Sequence, residues 1–83
     1  MNEPEIRKSI IKVLYSVGEV FLRESILSEE VEILMRKPLS GEAFRKELAA
    51  ARGDGLVVKE YDAFGEPIYS LTPAGAHAAR SLP

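Results

Sequence analysis

Apolar residues recur along this chain with two different periods, and the change from one to the other marks its plan. Near the start, Ile6, Ile10, Val13, Leu14 and Val17 fall at three- and four-residue intervals. That spacing lines one face of an α-helix. Asn2 with Glu5 three residues later forms a capping-box pair, and Pro4 is tolerated in a first turn, where its missing N–H costs nothing. Gly18 supplies the stop. A second helix is predicted over 25–37, "SILSEEVEILMRK", with Leu27, Val31, Leu34 and Met35 inward and Glu29, Glu30 and Glu32 outward. Pro38 ends it, because the residue before a proline is pushed out of helical conformation. Between the two helices, Val20, Phe21 and Leu22 read as a short strand or an extended connector.

A third helix is written in "PLSGEAFRKELAAARGDG". Ser40 is its N-cap, Glu42 sits in the first turn where the helix dipole favours an acid, and Phe44, Leu48 and Ala51 make the buried stripe. Gly53 and Gly55 are both able to end it; Gly55 is favoured, since "GDGLVV" then turns directly into a strand. Here the period becomes two. "LVVKEY" and "PIYSL" are β-branched and aromatic, and "DAFGE" between them has turn residues, so the pair is a hairpin. Alternation assigns Leu56 and Val58 to the core side of the first strand, with Tyr69 and Leu71 on the second. Thr72 as N-cap and Pro73 at the first position open a last short helix. The order is helix, short extended piece, helix, helix, hairpin, helix. It predicts one domain over residues 1–83, mainly α with a small β-hairpin, in which the second and third helices form a helix-turn-helix.

Two stretches carry a family resemblance. "FRKELAAARGDGLVV" resembles the recognition helix, glycine and first wing strand of winged-helix regulators. "FGEPIYSLTPAG" resembles the wing end of the MarR, PadR and ArsR-like groups, in which a tyrosine, leucine, threonine and glycine recur as Tyr69, Leu71, Thr72 and Gly75 do here. The resemblance implies a winged helix-turn-helix fold and contact with double-stranded DNA through the third helix. One position departs from it. Many such wings carry an arginine after the tip glycine, whereas Gly65 is followed here by Glu66, which would repel phosphate.

Composition narrows the function classes. At 46% hydrophobic and 29% charged residues, the chain is a folded domain and not a disordered tail. It has no cysteine, so disulfides and thiolate chemistry are excluded. It contains no apolar run of membrane-spanning length and no secretory leader, and a cytoplasmic location without membrane attachment is expected. Net charge is −2 and the pI about 5.4, so any basic surface must be local.

That local surface exists in the sequence. Residues 24–35 hold Glu24, Glu29, Glu30 and Glu32 and no base; residues 36–52 hold Arg36, Lys37, Arg45, Lys46 and Arg52 against Glu42 and Glu47. These five cations are the expected DNA contacts, directed mainly at phosphates, although a solvated helix surface with a Glu42–Lys46 pair explains them equally well. Opposite Phe44 and Leu48, the third helix turns Glu42, Lys46 and Ala49 outward, with Arg45 and Ala50 beside them, so few side chains are available to read bases. Dimerisation would then be needed for useful affinity. Tyr61 and Phe64 at the hairpin tip offer a second reading, a protein-interaction surface in which DNA plays no part, with folding-back of Phe64 onto the core as the simpler expectation. His77 stands without companion ligands, so no metal site is expected. The absence of P-loop, nucleophile-elbow and metal-cluster patterns argues against an enzyme and against a cofactor.

Overall fold

The computed structural model describes residues 3–82. Its elements are α1 (Glu3–Ser16), β1 (Leu22–Arg23), α2 (Glu24–Met35), α3 (Gly41–Gly53), β2 (Val57–Tyr61), β3 (Pro67–Leu71) and α4 (Pro73–Arg80). Asn2, the expected cap of α1, lies outside the described residues.

Helix α1 is the centre of the packing. It buries Ile6, Ile10, Val13 and Leu14 as the periodicity requires, and Ile11 as well, because it is packed on several sides by α2, α3, α4 and β3. Leu27 and Val31 of α2 and Phe44, Leu48 and Ala51 of α3 complete this core. Full burial of each large apolar side chain contributes about 1.5–3 kcal/mol.

Helix α2 is displaced from its expected span at both ends, starting at Glu24 and ending at Met35, ahead of Pro38. The early stop is local. Arg36 adopts a left-handed φ of 60°, and its N–H donates to the Glu32 carbonyl at 2.8 Å. The Glu32 carboxylate reaches onward to accept the Leu39 N–H at 2.9 Å, which closes the turn into α3. Leu34, expected inside, is 47% exposed. Leu27 and Val31 are buried and Met35, one residue further on, packs against the core, so Leu34 sits at the exposed edge of that stripe.

Helix α3 starts and stops where its sequence says. The Ser40 hydroxyl accepts the Ala43 N–H, and beyond Gly53 the Gly55 N–H bonds the Arg52 carbonyl while the Leu56 N–H bonds that of Ala51. This paired closure needs a left-handed residue at its corner, and Gly55 supplies it with φ of 78°.

The sheet is antiparallel in the order β1-β3-β2. Val57 faces Leu71 and Lys59 faces Tyr69, so Val57, and not Val58, shares the core side with Tyr69 and Leu71. The assignment of Val58 to the core is thereby corrected by one residue, a slip that exchanges the two faces. Leu56 packs against the core from just ahead of the strand. Four helices and a small three-stranded sheet, with the β2–β3 hairpin as the wing, make this a winged helix-turn-helix.

Candidate nucleic-acid interface

The third helix has two sharply different sides. Its inner side buries Phe44, Leu48 and Ala51 together with an acid, Glu47, only 4% exposed. A buried carboxylate needs a partner. Arg7 of α1 provides one, with Nε 3.1 Å from Glu47 and a second nitrogen 3.0 Å from Asp54, so one guanidinium ties α1 to the inner face and the end of α3. Sequence reasoning treated Glu47 as a surface charge. The signal lay in its position, since 44, 47, 48 and 51 form one helical stripe with an acid in the second place. The outer side exposes Glu42, Arg45, Lys46 and Ala49, as expected, and Arg52 as well, whereas Ala50 is half-buried.

The five cations singled out from the sequence do not share one surface. Arg45 borders two depressions. One, of about 430 Å³, lies between α2, the start of α3 and the wing, and includes Glu24, Ser25, Ser28, Gly41 and Glu66. The other, of about 160 Å³, brings Arg45 and Arg52 together with Glu24, Ala49, Lys59 and Tyr69. Lys59, the hairpin's sole base, therefore joins the α3 cations, although the sequence had not placed it among the contacts. Lys46 is exposed on the same outer side of α3. Lys37 instead reaches α1, with its ammonium 3.9 Å from Glu5, and edges a shallow depression with Glu29 and Glu32; Arg36 precedes it at the left-handed turn.

Acidic groups interrupt the cations, and Glu24, Asp62 and Glu66 each have a partner. The Tyr69 hydroxyl donates to Glu24 at 3.0 Å. Burial and the adjacent Glu24 carboxylate push the Tyr69 phenol up to about 12. At the wing tip, the Asp62 carboxylate accepts the N–H groups of Phe64 and Glu66, each at 2.9 Å, and the Asp62 N–H donates to the Glu66 carbonyl. The Glu66 and Phe64 amides, with Arg23 adding its charge, hold the Asp62 carboxyl below its usual value against the opposing effect of burial. Arg23 stands between the two acids, its Nε 3.5 Å from Asp62 and 3.6 Å from Glu66. Glu66, which the sequence presented as a bare negative charge, is thus part of an ion-pair clamp from β1 to the tip.

The tip leaves its aromatics outside. Phe64 is 82% exposed and Tyr61 62% exposed, with the Lys59 ammonium 5.3 Å from the Tyr61 ring. The expectation that Phe64 folds back is corrected. The turn is closed by main-chain bonds and the Asp62 carboxylate, and no apolar packing holds the phenyl ring. His77 is exposed, and among the described residues no group of three histidine or acidic side chains is placed to hold a metal ion. No helix among them is long and apolar enough to cross a membrane.

No protein-family model and no curated relative matches the chain. Two solved structures are similar to it in fold. A transcriptional regulator of the MarR family from Silicibacter pomeroyi superimposes with a TM-score of 0.77 at 21% identity over 93% of this chain. The chain spans 47% of that regulator's length. The circadian clock associated protein Pex from Anabaena gives a TM-score of 0.77 at 15% identity, covering 98% of this chain and 73% of Pex. Both likenesses establish the winged-helix fold.

Proposed function

We propose that the chain is a DNA-binding winged-helix protein, a small transcriptional regulator or accessory factor, that meets duplex DNA through the outer side of α3. The observation that carries this reading is the convergence of Arg45, Arg52 and Lys59 around one depression that also includes Glu24, so that three cations meet one acid there, with Lys46 exposed on the same helix. A cationic edge of this kind suits phosphates, while the small side chains of Ala49 and Ala50 allow close approach to a groove. Arg36 and Lys37 would contribute at the margin. The fold likeness to a protein described as a transcriptional regulator supports the same reading. One α3 offers few base-reading groups, so specificity would come from a homodimer placing two such helices on adjacent half-sites. The reading involves no catalytic group, cofactor or membrane, and places the protein in the cytoplasm.

A second reading has its own observation. Glu24 and Glu66 border the larger depression beside Arg45, and two aromatic rings stand exposed on the wing. These features suit a protein partner in place of DNA. Titration of labelled duplex DNA at several salt concentrations decides between the two. The DNA reading expects Arg45→Ala and Arg52→Ala each to weaken binding and flatten the salt dependence by about one phosphate contact, with Lys37→Ala changing less. Absence of saturable binding at low salt sinks it and leaves the protein-partner reading.

A further inference from the structure

A hollow of about 510 Å³ opens where the end of α1 meets the end of β3 and the exposed side of α4. It shares no residue with the two depressions beside α3. The packing of the fold sets its walls. Pro73, Ala76 and Arg80 fall three and four residues apart and line it from one side of α4. Thr72 pins the start of that helix, because its N–H donates to the Leu56 carbonyl and its hydroxyl donates to Gly55 and accepts the Gly75 N–H. From α1 come Tyr15 and, just past its end, Glu19, which follows the turn that Gly18 makes with φ of 77°.

Polar groups on this hollow lack partners. Ser70 is 6% exposed, yet among the described residues its hydroxyl makes no hydrogen bond. That oxygen is not sealed from solvent, so it opens into the hollow that Ser70 lines. A hydroxyl held in a wall without a partner gains by meeting a ligand. Glu19 and Arg80 line the same hollow, and neither takes part in an ion pair among the described residues, with the other or elsewhere. Helix α1 also has no basic residue in its last turn, so the negative end of its dipole adds to the attraction of Glu19 for a cation.

From this geometry we infer that the hollow binds a small zwitterion with an apolar body, of the amino-acid or short-peptide class. The carboxylate meets the Arg80 guanidinium, whose planar fork matches it, and the Ser70 hydroxyl. The ammonium meets Glu19 and the end of α1. The apolar body lies on Leu71, Pro73, Ala76 and the Tyr15 ring. Both charges are required, since a simple anion would leave Glu19 unanswered and a simple cation would leave Arg80 so. Walls already in place keep the ordering cost of binding low. The inference goes beyond the DNA reading and does not depend on it.

Calorimetric titration with leucine and with leucyl-leucine tests it, beside 4-methylpentanoate, which lacks the ammonium, and 3-methylbutylamine, which lacks the carboxylate. Saturable binding of at least one zwitterion is expected, with both analogues about tenfold weaker or more. Whichever zwitterion binds tighter tells amino acid from peptide. Arg80→Gln and Glu19→Gln, both at exposed positions, should each weaken binding about tenfold, and Ser70→Ala by less. Lys12→Gln, which removes a charge outside the hollow, should leave binding as it is. Thermal melts of the same variants show that a lost affinity is not a lost fold. No saturable heat from either zwitterion overturns the inference. An analogue that binds as well as leucine or leucyl-leucine overturns it too, as does binding that Arg80→Gln and Glu19→Gln leave unchanged.

Discussion

The two ends of the β2–β3 hairpin are held by different means. At the base, backbone meets backbone. Thr72 donates its N–H to the Leu56 carbonyl and its hydroxyl to the Gly55 carbonyl at 2.6 Å, while accepting the Gly75 N–H at 3.0 Å. Gly75 is buried against Leu56 so closely that an added Cβ would run into the Leu56 carbonyl. At the tip, no core residue takes part, and the turn is shaped by one aspartate and an arginine from β1. Buried main-chain contacts are insensitive to salt and intolerant of volume, whereas surface ion pairs are screened and forgiving. The base thus fixes the fold, and the tip is free to carry function.

Substitutions that add volume or strain at the base test this contrast most strongly. Gly75→Ala should destabilise the domain by about 3 kcal/mol or more, because the obstructing atom is backbone and cannot swing aside. Denaturant midpoints would measure it, and a midpoint near the native one would mean that α4 is not docked on Leu56 as described. Gly55→Val should cost less, about 1–3 kcal/mol, since space around Gly55 is open and only its left-handed φ opposes a β-branched residue.

Between base and tip lies the Tyr69–Glu24 bond. Tyr69→Phe should cost about 1 kcal/mol at neutral pH. The phenol's folded value of about 12 stands above its ordinary 10.0. Stability from the protonated hydroxyl is therefore complete below pH 10 and is lost as pH rises from 10 through 12. Native protein should lose stability across that window faster than Tyr69→Phe does; parallel curves would place the hydroxyl elsewhere.

The smallest effect on stability belongs to the tip. Asp62→Ala should leave the global midpoint almost unchanged at neutral pH while loosening the amides of Phe64 and Glu66, seen as faster hydrogen exchange at those two positions. Its folded value is lowered, so its contribution is present above the ordinary carboxylate range and is lost as pH falls through the depressed value. Unchanged exchange would mean that the main-chain bonds alone hold the turn.

What could be read in advance divides along the same line. Caps and stops are written within a few residues, and Ser40, the Thr72–Pro73 pair and Gly55 each act as their neighbours imply. The register of β2 was harder, because "LVV" is apolar at three successive positions and alternation gives no phase. Periodicity placed Leu34 on the inner stripe of α2, but it does not say how wide the buried part of that stripe is, and Leu34 falls at its edge while Met35 packs inward. Most of the missed features join distant parts of the chain. Arg7 finds Glu47 across 40 positions, and Arg23 meets Asp62 and Glu66 only once β1 has paired with β3. Phe64 was visible in the sequence as an aromatic in a turn; its exposure follows from how Asp62 closes that turn.

The most direct test of the account is to map, by amide chemical shifts, which residues respond when a short duplex is titrated into the protein. Saturable shifts are expected along the outer side of α3, at Glu42, Arg45, Lys46, Ala49 and Arg52, and at Lys59 on the wing, with α1 and α4 quiet. Shifts that do not saturate, or that leave α3 untouched, would contradict it.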